Sequence, residues 1–175
     1  MLHIFRKKTN EKVKNHNKKE LKPNGELELR IEEASKSKFI QDKEYVLSYL
    51  KSKGVKEEFY FDLIKNNDFG YLEDNIMIID TDELYGGEFR LEAFFTYAPG
   101  DYDIRECNKY LEKAAKELKM EYGPGIAIAS MAGGDTVCLN TDTGEVYLWL
   151  LETGVWEKIH AANSVKEFVE MIKYV

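Results

Sequence analysis

Acidic side chains are the first candidates for chemistry in this sequence. Asp80, Asp82 and Glu83 form one cluster, and Asp101 and Asp103 form a second. Grouped carboxylates can bind a metal ion or divide acid and base roles between them. Their spacing does not match a calcium loop, since no Asp-x-Asp-x-Asp-Gly run with a glutamate at its twelfth position occurs. We therefore interpret both clusters as solvated or partner-facing loops, and predict no metal, no cofactor and no catalytic residue.

Histidines and cysteines do not supply an alternative centre. His3, His16 and His160 are far apart in the sequence, and a base at His160 would need a carboxylate and a nucleophile brought to it by the fold. Cys107 and Cys138 match no zinc-binding spacing. Both cysteines are predicted to face the core as reduced thiols. The sequence therefore favours a protein that is not an enzyme.

Tyrosines border both acidic clusters. A tyrosine beside carboxylates suits a surface that contacts a basic protein, because the ring supplies contact area at low entropic cost. The alternative is that these rings close the edge of the core. The predicted partner surface consists of Asp80, Asp82, Glu83, Tyr85, Tyr97, Asp101, Tyr102 and Asp103.

Charge is unevenly distributed along the 175 residues. Residues 1–24 contain eight Lys or Arg and two Glu, which gives them a net charge of +6. Because the whole chain has a net charge of −7, residues 25–175 have a net charge of −13. An acidic domain repels nucleic acid and anionic lipid and attracts a basic protein. We expect a basic protein partner and predict neither a nucleic-acid ligand nor membrane binding.

Targeting signals are not expected. The apolar stretch at residues 1–5 is too short for a secretory signal, and basic residues follow it directly. No apolar run approaches the length that spans a bilayer. We expect a cytoplasmic protein that is a monomer or a weak dimer.

The positions of the candidate residues depend on the elements around them. Residues 1–24 are predicted to be a flexible basic tail, with a packed arm or a docking arm as alternatives. Residues 25–175 are predicted to be one domain, in which residues 26–41 suit either a strand or a helix. Helices are predicted from Asp42 to about Lys53, from Lys56 to Asn66, from Asp103 onward, and at the C-terminal end. Strands are predicted at 76–79 and 89–97, and as an antiparallel meander over 125–159.

Two helices have especially clear signals. Asp103 is expected to cap the first, with Glu106 as its capping-box partner, and Asn163 or Ser164 with Glu167 the second. The predicted inward faces are Ile104, Cys107, Tyr110, Leu111, Ala114, Ala115 and Leu118 in the first helix, and Val165, Phe168, Val169 and Ile172 in the second. Together the elements predict an α+β domain with a mixed, mainly antiparallel sheet of five or six strands flanked by helices.

From Asp42 to Val175 the order of features resembles the SUKH superfamily. The resemblance is carried by two short helices ending in Asn66-Asn67-Asp68-Phe69-Gly70, then Gly134-Asp135 before Cys138-Leu139, then Thr143-Gly144-Glu145-Val146-Tyr147-Leu148-Trp149, and finally Asn163-Ser164-Val165-Lys166-Glu167-Phe168-Val169. The superfamily comprises yeast regulators of cell-wall synthesis and many bacterial immunity proteins.

The resemblance implies an antiparallel sheet flanked by helices. For a bacterial member it implies binding and neutralising a toxin domain, often a nuclease. A regulatory scaffold of the same fold is the alternative function. An enzyme would instead require a cleft in which a histidine and a carboxylate lie within hydrogen-bonding distance.

Overall fold

Seven β-strands and four α-helices make up most of the chain that the structure describes. The structure is a computed structural model, and it describes residues 43–66, 77–80, 88–95, 103–119, 125–152 and 155–174. The helices are α1 (Lys43–Ser52), α2 (Glu58–Asn66), α3 (Ile104–Glu117) and α4 (Val165–Glu170). The strands are β1 (Met77–Asp80), β2 (Glu88–Phe94), β3 (Ile126–Met131), β4 (Thr136–Leu139), β5 (Val146–Glu152), β6 (Val155–Ala162) and β7 (Ile172–Tyr174). The predicted α+β class is confirmed, whereas the predicted tail, residues 25–41 and the Asp42 cap lie outside the described residues.

The strands form one antiparallel sheet in the order β6-β5-β4-β3-β2-β1-β7. Strands β3 to β6 follow one another both along the chain and across the sheet, because their connections are too short for the crossover that parallel pairing needs. The predicted meander is confirmed. Helix α3 separates β2 from β3 in sequence, yet these two strands also pair directly, with Phe94 opposite Ala129.

The sheet has one strand more than the upper predicted number. The closing helix was expected to continue through Ile172, but α4 ends at Glu170 and Ile172 begins β7. Ile172 is buried as predicted, although in a strand, where it pairs with Ile79 of β1. The free edge of β1 offers backbone partners to this segment, so tertiary pairing overrides the helical spacing of the apolar residues.

Local capping signals determine where several helices begin and end. The Ser164 hydroxyl accepts a hydrogen bond from the Glu167 N–H at 3.1 Å. The Glu167 carboxylate in turn accepts from the Asn163 N–H at 2.7 Å, so the predicted cap of α4 is confirmed. After α1, Gly54 adopts a φ of +87°, a left-handed conformation that favours glycine at a helix end.

The core covers both faces of the central strands. Residues 126–129 of β3 are all buried, as are Leu91 and its neighbours Ala93 and Phe94 in β2. In α2 the fully buried aromatic residue is Tyr60, whereas Phe59 and Phe61 are only partly buried. Within the described ranges, no helix is both long and apolar enough to cross a bilayer.

Helix α3 is rotated relative to the prediction. Its buried positions are Ile104, Asn108, Leu111 and Ala115. Tyr110 and Leu118 were predicted to face inward, but they are 68% and 44% exposed. The helix therefore directs a polar asparagine into the core and an aromatic ring into solvent.

Asn108 explains this rotation. Its side-chain amide donates to the Ile104 carbonyl at 2.7 Å and to the Ala127 carbonyl at 3.1 Å, and its Oδ1 accepts from the Ala127 N–H at 2.7 Å. Pairing with β2 reaches Ile128, whose carbonyl accepts from the Phe95 N–H at 2.9 Å. The amide of Asn108 thus takes the place of a neighbouring strand at Ala127 and fixes α3 against the sheet.

Candidate functional site

Most of the predicted partner surface lies outside the described residues. This applies to Asp82, Glu83, Tyr85, Tyr97, Asp101 and Tyr102. Asp80 is described through its backbone: it ends β1 opposite Glu88 of β2. That register places two acidic residues where the 81–87 connection leaves and rejoins the sheet. Their roles in binding stay predictions.

Asp103 belongs to a helix cap and not to a partner surface. The residue is only 2% exposed, and its carboxylate accepts from the Arg105 N–H at 2.9 Å and from Arg105 Nε at 3.0 Å. The Arg105 guanidinium also lies 4.8 Å from the centre of the Tyr45 ring, which links α3 to α1. The predicted cap is confirmed. Because Asp103 is buried in that cap, its side chain is not available for the expected partner contact. Glu106, its expected capping-box partner, instead pairs with Lys109 at 2.6 Å.

Replacing Asp103 by asparagine is expected to lower stability in a pH-dependent way. Burial pushes the pKa of Asp103 up, but hydrogen bonds and charge from Arg105 outweigh it and hold the pKa below its ordinary value. The carboxylate then stabilises the fold above the unfolded-state pKa, and this contribution is lost as pH falls through the folded-state pKa. Asp103→Asn should cost about 1–2 kcal/mol at neutral pH, since the ion pair with Arg105 is lost and one of the two acceptor oxygens becomes an amide nitrogen that cannot accept.

Urea unfolding across the acidic pH range measures the difference in the free energy of unfolding between the Asp103→Asn variant and the unsubstituted chain. This difference in stability should shrink as pH falls below about 4, the unfolded-state pKa, and through the lower folded-state pKa of Asp103. A difference that stays constant with pH would show that the charge on Asp103 does not stabilise the cap.

A groove lies between α3 and strands β2 to β4. It has a volume of about 420 Å³. Its apolar lining residues are Phe95, Cys107, Tyr110, Leu111 and Met131, and its acidic lining residues are Glu92, Glu106 and Asp135. No lysine or arginine is among the described residues that line it. We call this feature the α3 groove.

Tyr110 is the exposed aromatic side chain of the α3 groove. Because Asn108 and Leu111 face the core, Tyr110 lies on the flank of the helix and is 68% exposed. Cys107, one turn earlier, is partly buried in the groove wall, whereas Cys138 in β4 is buried as predicted. Sequence patterning missed Tyr110 as a surface residue because its spacing also fits an apolar stripe.

The α3 groove is connected to the predicted partner surface along the chain. Phe95, directly after β2, and Glu106, in the first turn of α3, both line the groove. Residues 96–102, which include the predicted Tyr97, Asp101 and Tyr102, join these two walls in the sequence.

Ser130 adds a polar position to the α3 groove. Its Oγ atom is buried and has no hydrogen-bond partner among the described residues, while Ser130 lines the groove beside Met131. A buried hydroxyl without a partner is unfavourable, and a polar atom of a bound group would remove that cost.

His160 lies in a separate surface cluster on β5 and β6. Its Nε2 is 3.8 Å from the carboxylate of Glu145, beyond hydrogen-bonding distance. The other carboxylate oxygen of Glu145 accepts from Thr143 and Tyr147, each at 2.8 Å, and these bonds lower the pKa of Glu145. The side chains of His160 and Glu145 are 42% and 33% exposed. The pair does not meet the geometric condition set above for an enzyme.

A second, smaller pocket of about 160 Å³ lies between the α1–α2 connection and the β4–β5 turn. Glu57 lines it and accepts a hydrogen bond from the Val165 N–H of α4 at 3.3 Å. Burial raises the pKa of Glu57. This carboxylate joins the loop to the start of α4, so its role is structural.

Metal ligands are not assembled in the part of the chain that the structure describes, where no three His, Cys, Asp or Glu side chains come together. No family model matches the chain, and no curated protein or solved structure matches it. Function is therefore inferred from the geometry and chemistry of its own residues.

Proposed function

We propose that this chain is an immunity protein that binds a basic toxin domain through the α3 groove and neutralises it without catalysis. The observation that carries the proposal is the α3 groove itself: an exposed tyrosine and three carboxylates surround an apolar floor, with no basic residue in its described lining. The net charge of −13 outside residues 1–24 adds a field that attracts a cationic partner.

The carboxylates of the α3 groove suit arginine or lysine side chains of a partner. Glu106 pairs with Lys109 of the same helix, but both side chains are more than half exposed. Such an exposed pair contributes little to stability, so an arginine from a partner can replace Lys109 at small cost. Glu92 and Asp135 lie on the other walls of the groove, so a long basic side chain entering it would be surrounded by negative charge.

The apolar part of the α3 groove suits the hydrocarbon portion of the same partner side chains. Arginine and lysine bury their methylene groups while the charged end stays paired. Tyr110 provides a ring that can cover such a side chain and exclude water from it. A nuclease surface is basic where it holds phosphates, so an acidic protein bound there would block the nucleic-acid substrate.

The resemblance noted in the sequence supports the same function. It implies an antiparallel sheet flanked by helices, which is the class of fold that the described residues adopt. Gly134 and Asp135, which carry part of the resemblance, line the α3 groove. We place the protein in the cytoplasm, as a monomer or weak dimer that needs no cofactor.

Charge reversal in the α3 groove is expected to weaken partner binding. Glu106→Lys should lower affinity for a toxin-like basic domain encoded beside the gene at least about tenfold, because close interfacial charge pairs contribute more than about 1.5 kcal/mol. Tyr110→Ala should lower it about 30-fold, as loss of an aromatic anchor costs about 2 kcal/mol. Isothermal titration calorimetry with the purified toxin domain measures both effects, and co-expression measures protection of the host cell.

Glu117→Lys is the matched control. Glu117 also lies on α3, is similarly exposed and pairs with a lysine of the same helix, Lys113, at 3.8 Å, but it does not line the α3 groove. It should change affinity less than about threefold, because only long-range charge is altered. Equal losses for the Glu106 and Glu117 variants would place the interface elsewhere on the acidic surface. Absence of both binding and protection with every neighbouring toxin-like domain would refute the immunity function, and capture of several housekeeping proteins would favour the scaffold alternative.

A further inference from the structure

The chain contains one segment whose chemistry complements the α3 groove. Residues 1–24 carry a net charge of +6, against −13 for the remainder. Near its start, Ile4 and Phe5 are followed directly by Arg6, Lys7 and Lys8. An apolar pair next to three cations matches an apolar floor bordered by carboxylates.

We propose that residues 4–8 of the same chain occupy the α3 groove when no partner is bound, so that an external partner must displace them. Phe5 is placed against the apolar lining formed by Leu111 and Met131, and the three cations face Glu92, Glu106 and Asp135. The proposal requires the α3 groove but no toxin domain, so it can be tested separately from the immunity function.

Covalent attachment makes weak docking sufficient. A tethered segment experiences an effective concentration of about millimolar, so even a contact with a dissociation constant near that value is substantially populated. The 34 residues between Lys8 and Lys43 could span roughly 110 Å when extended, so chain length does not prevent the contact. Charge attraction between exposed groups also makes the contact sensitive to salt.

Cys107 provides a native reporter, because this partly buried residue lines the α3 groove. The other cysteine, Cys138, is 2% exposed and serves as the unreactive internal reference. We expect slow alkylation of Cys107 by the neutral reagent iodoacetamide in the full-length chain at low salt. Raising NaCl from about 20 mM to about 500 mM should speed the reaction about fivefold, because the docked segment is released.

Charge reversal within residues 1–24 tests which positions dock. The full-length triple variant Arg6→Glu, Lys7→Glu and Lys8→Glu should speed alkylation of Cys107 about fivefold at low salt. The control reverses Lys12, Lys14 and Lys18, giving the same change in net charge, and should alter the rate less than about twofold. Removing nearby cations by itself would raise the pKa of the thiol and slow alkylation, so an electrostatic effect without docking has the opposite sign.

Three results would overturn the proposal: an unchanged rate in the first triple variant, a decreased rate, or an equal increase in both variants. Measuring toxin binding alongside alkylation of Cys107 distinguishes this proposal from the immunity function. If Cys107 is unprotected while Tyr110→Ala still lowers affinity for the toxin domain, docking of residues 4–8 is refuted and the partner site is not. If Cys107 is protected and no toxin binds, docking of the segment is supported and the immunity function is refuted.

Discussion

Phe168→Ala is expected to lower the free energy of unfolding by about 3–5 kcal/mol, the range for removing a fully buried phenylalanine ring. Phe168 is 0% exposed and lies in the core cluster with Val165 and Val169 of the same helix. Helix α4 has only six residues, too few to be stable in isolation, so its packing must hold it in place. Urea unfolding followed by circular dichroism measures the loss.

Lys166→Ala is the control for the Phe168 substitution. Lys166 is on the exposed side of the same short helix, so its truncation should change stability by less than about 0.5 kcal/mol. A Phe168→Ala loss that is no larger than the Lys166→Ala loss would show that α4 does not close the core. A loss of cooperativity without a change in midpoint would indicate that α4 unfolds separately from the sheet.

Local signals made α4 and the meander predictable from sequence. The cap depends on residues within four positions of each other, Asn163, Ser164 and Glu167, and all the interactions needed are encoded in that spacing. The turns of the meander are equally local. Gly144, for example, has a φ of +81° and follows Asn140, whose side-chain oxygen accepts from the Thr143 N–H at 3.2 Å.

The orientation of α3 could not be predicted in the same way. Two stripes compete on this helix, one containing Cys107 and Tyr110 and the other Asn108 and Ala115. Hydrophobicity favours the first stripe. The second is the buried one because Asn108 satisfies the exposed backbone of Ala127, 19 residues away, where pairing with β2 ends. That requirement exists only once the sheet has formed.

The shape of the α3 groove could not be predicted from the sequence. Glu92, Glu106 and Asp135 come from β2, α3 and the connection between β3 and β4, and they meet only through strand register and the rotation of α3. Tyr110 joins them for the same reason. Patterning within single elements therefore could not identify the α3 groove.

Asn108→Ala is expected to cost about 2–4 kcal/mol, because the N–H and carbonyl of Ala127 both lose their partner in the core. Asn108 is 3% exposed, so water cannot easily replace the lost amide. Asn108→Leu keeps a similar volume and should be no better, since the unpaired backbone groups remain. Urea unfolding measures both variants, and a cost below about 0.5 kcal/mol would show that the amide does not anchor α3.

The pH dependence of stability in the Asn108→Asp variant distinguishes the contribution of the hydrogen bonds from that of side-chain volume. A carboxylate at this position can accept from the Ala127 N–H, but it faces the carbonyls of Ile104 and Ala127 without a donor unless it is protonated. We expect burial to raise the pKa of the introduced carboxyl above its unfolded value. The stabilisation that the protonated carboxyl provides is then fully present below the unfolded-state pKa and is lost as pH rises through the folded-state pKa. The stability deficit of Asn108→Asp relative to the wild-type chain should therefore widen from a pH of about 4 to a pH of about 8, while the deficit of Asn108→Leu should stay nearly constant. If the two deficits run parallel across that range, Asn108 is not the group that completes β3, and the exposure of Tyr110 in the α3 groove needs another cause.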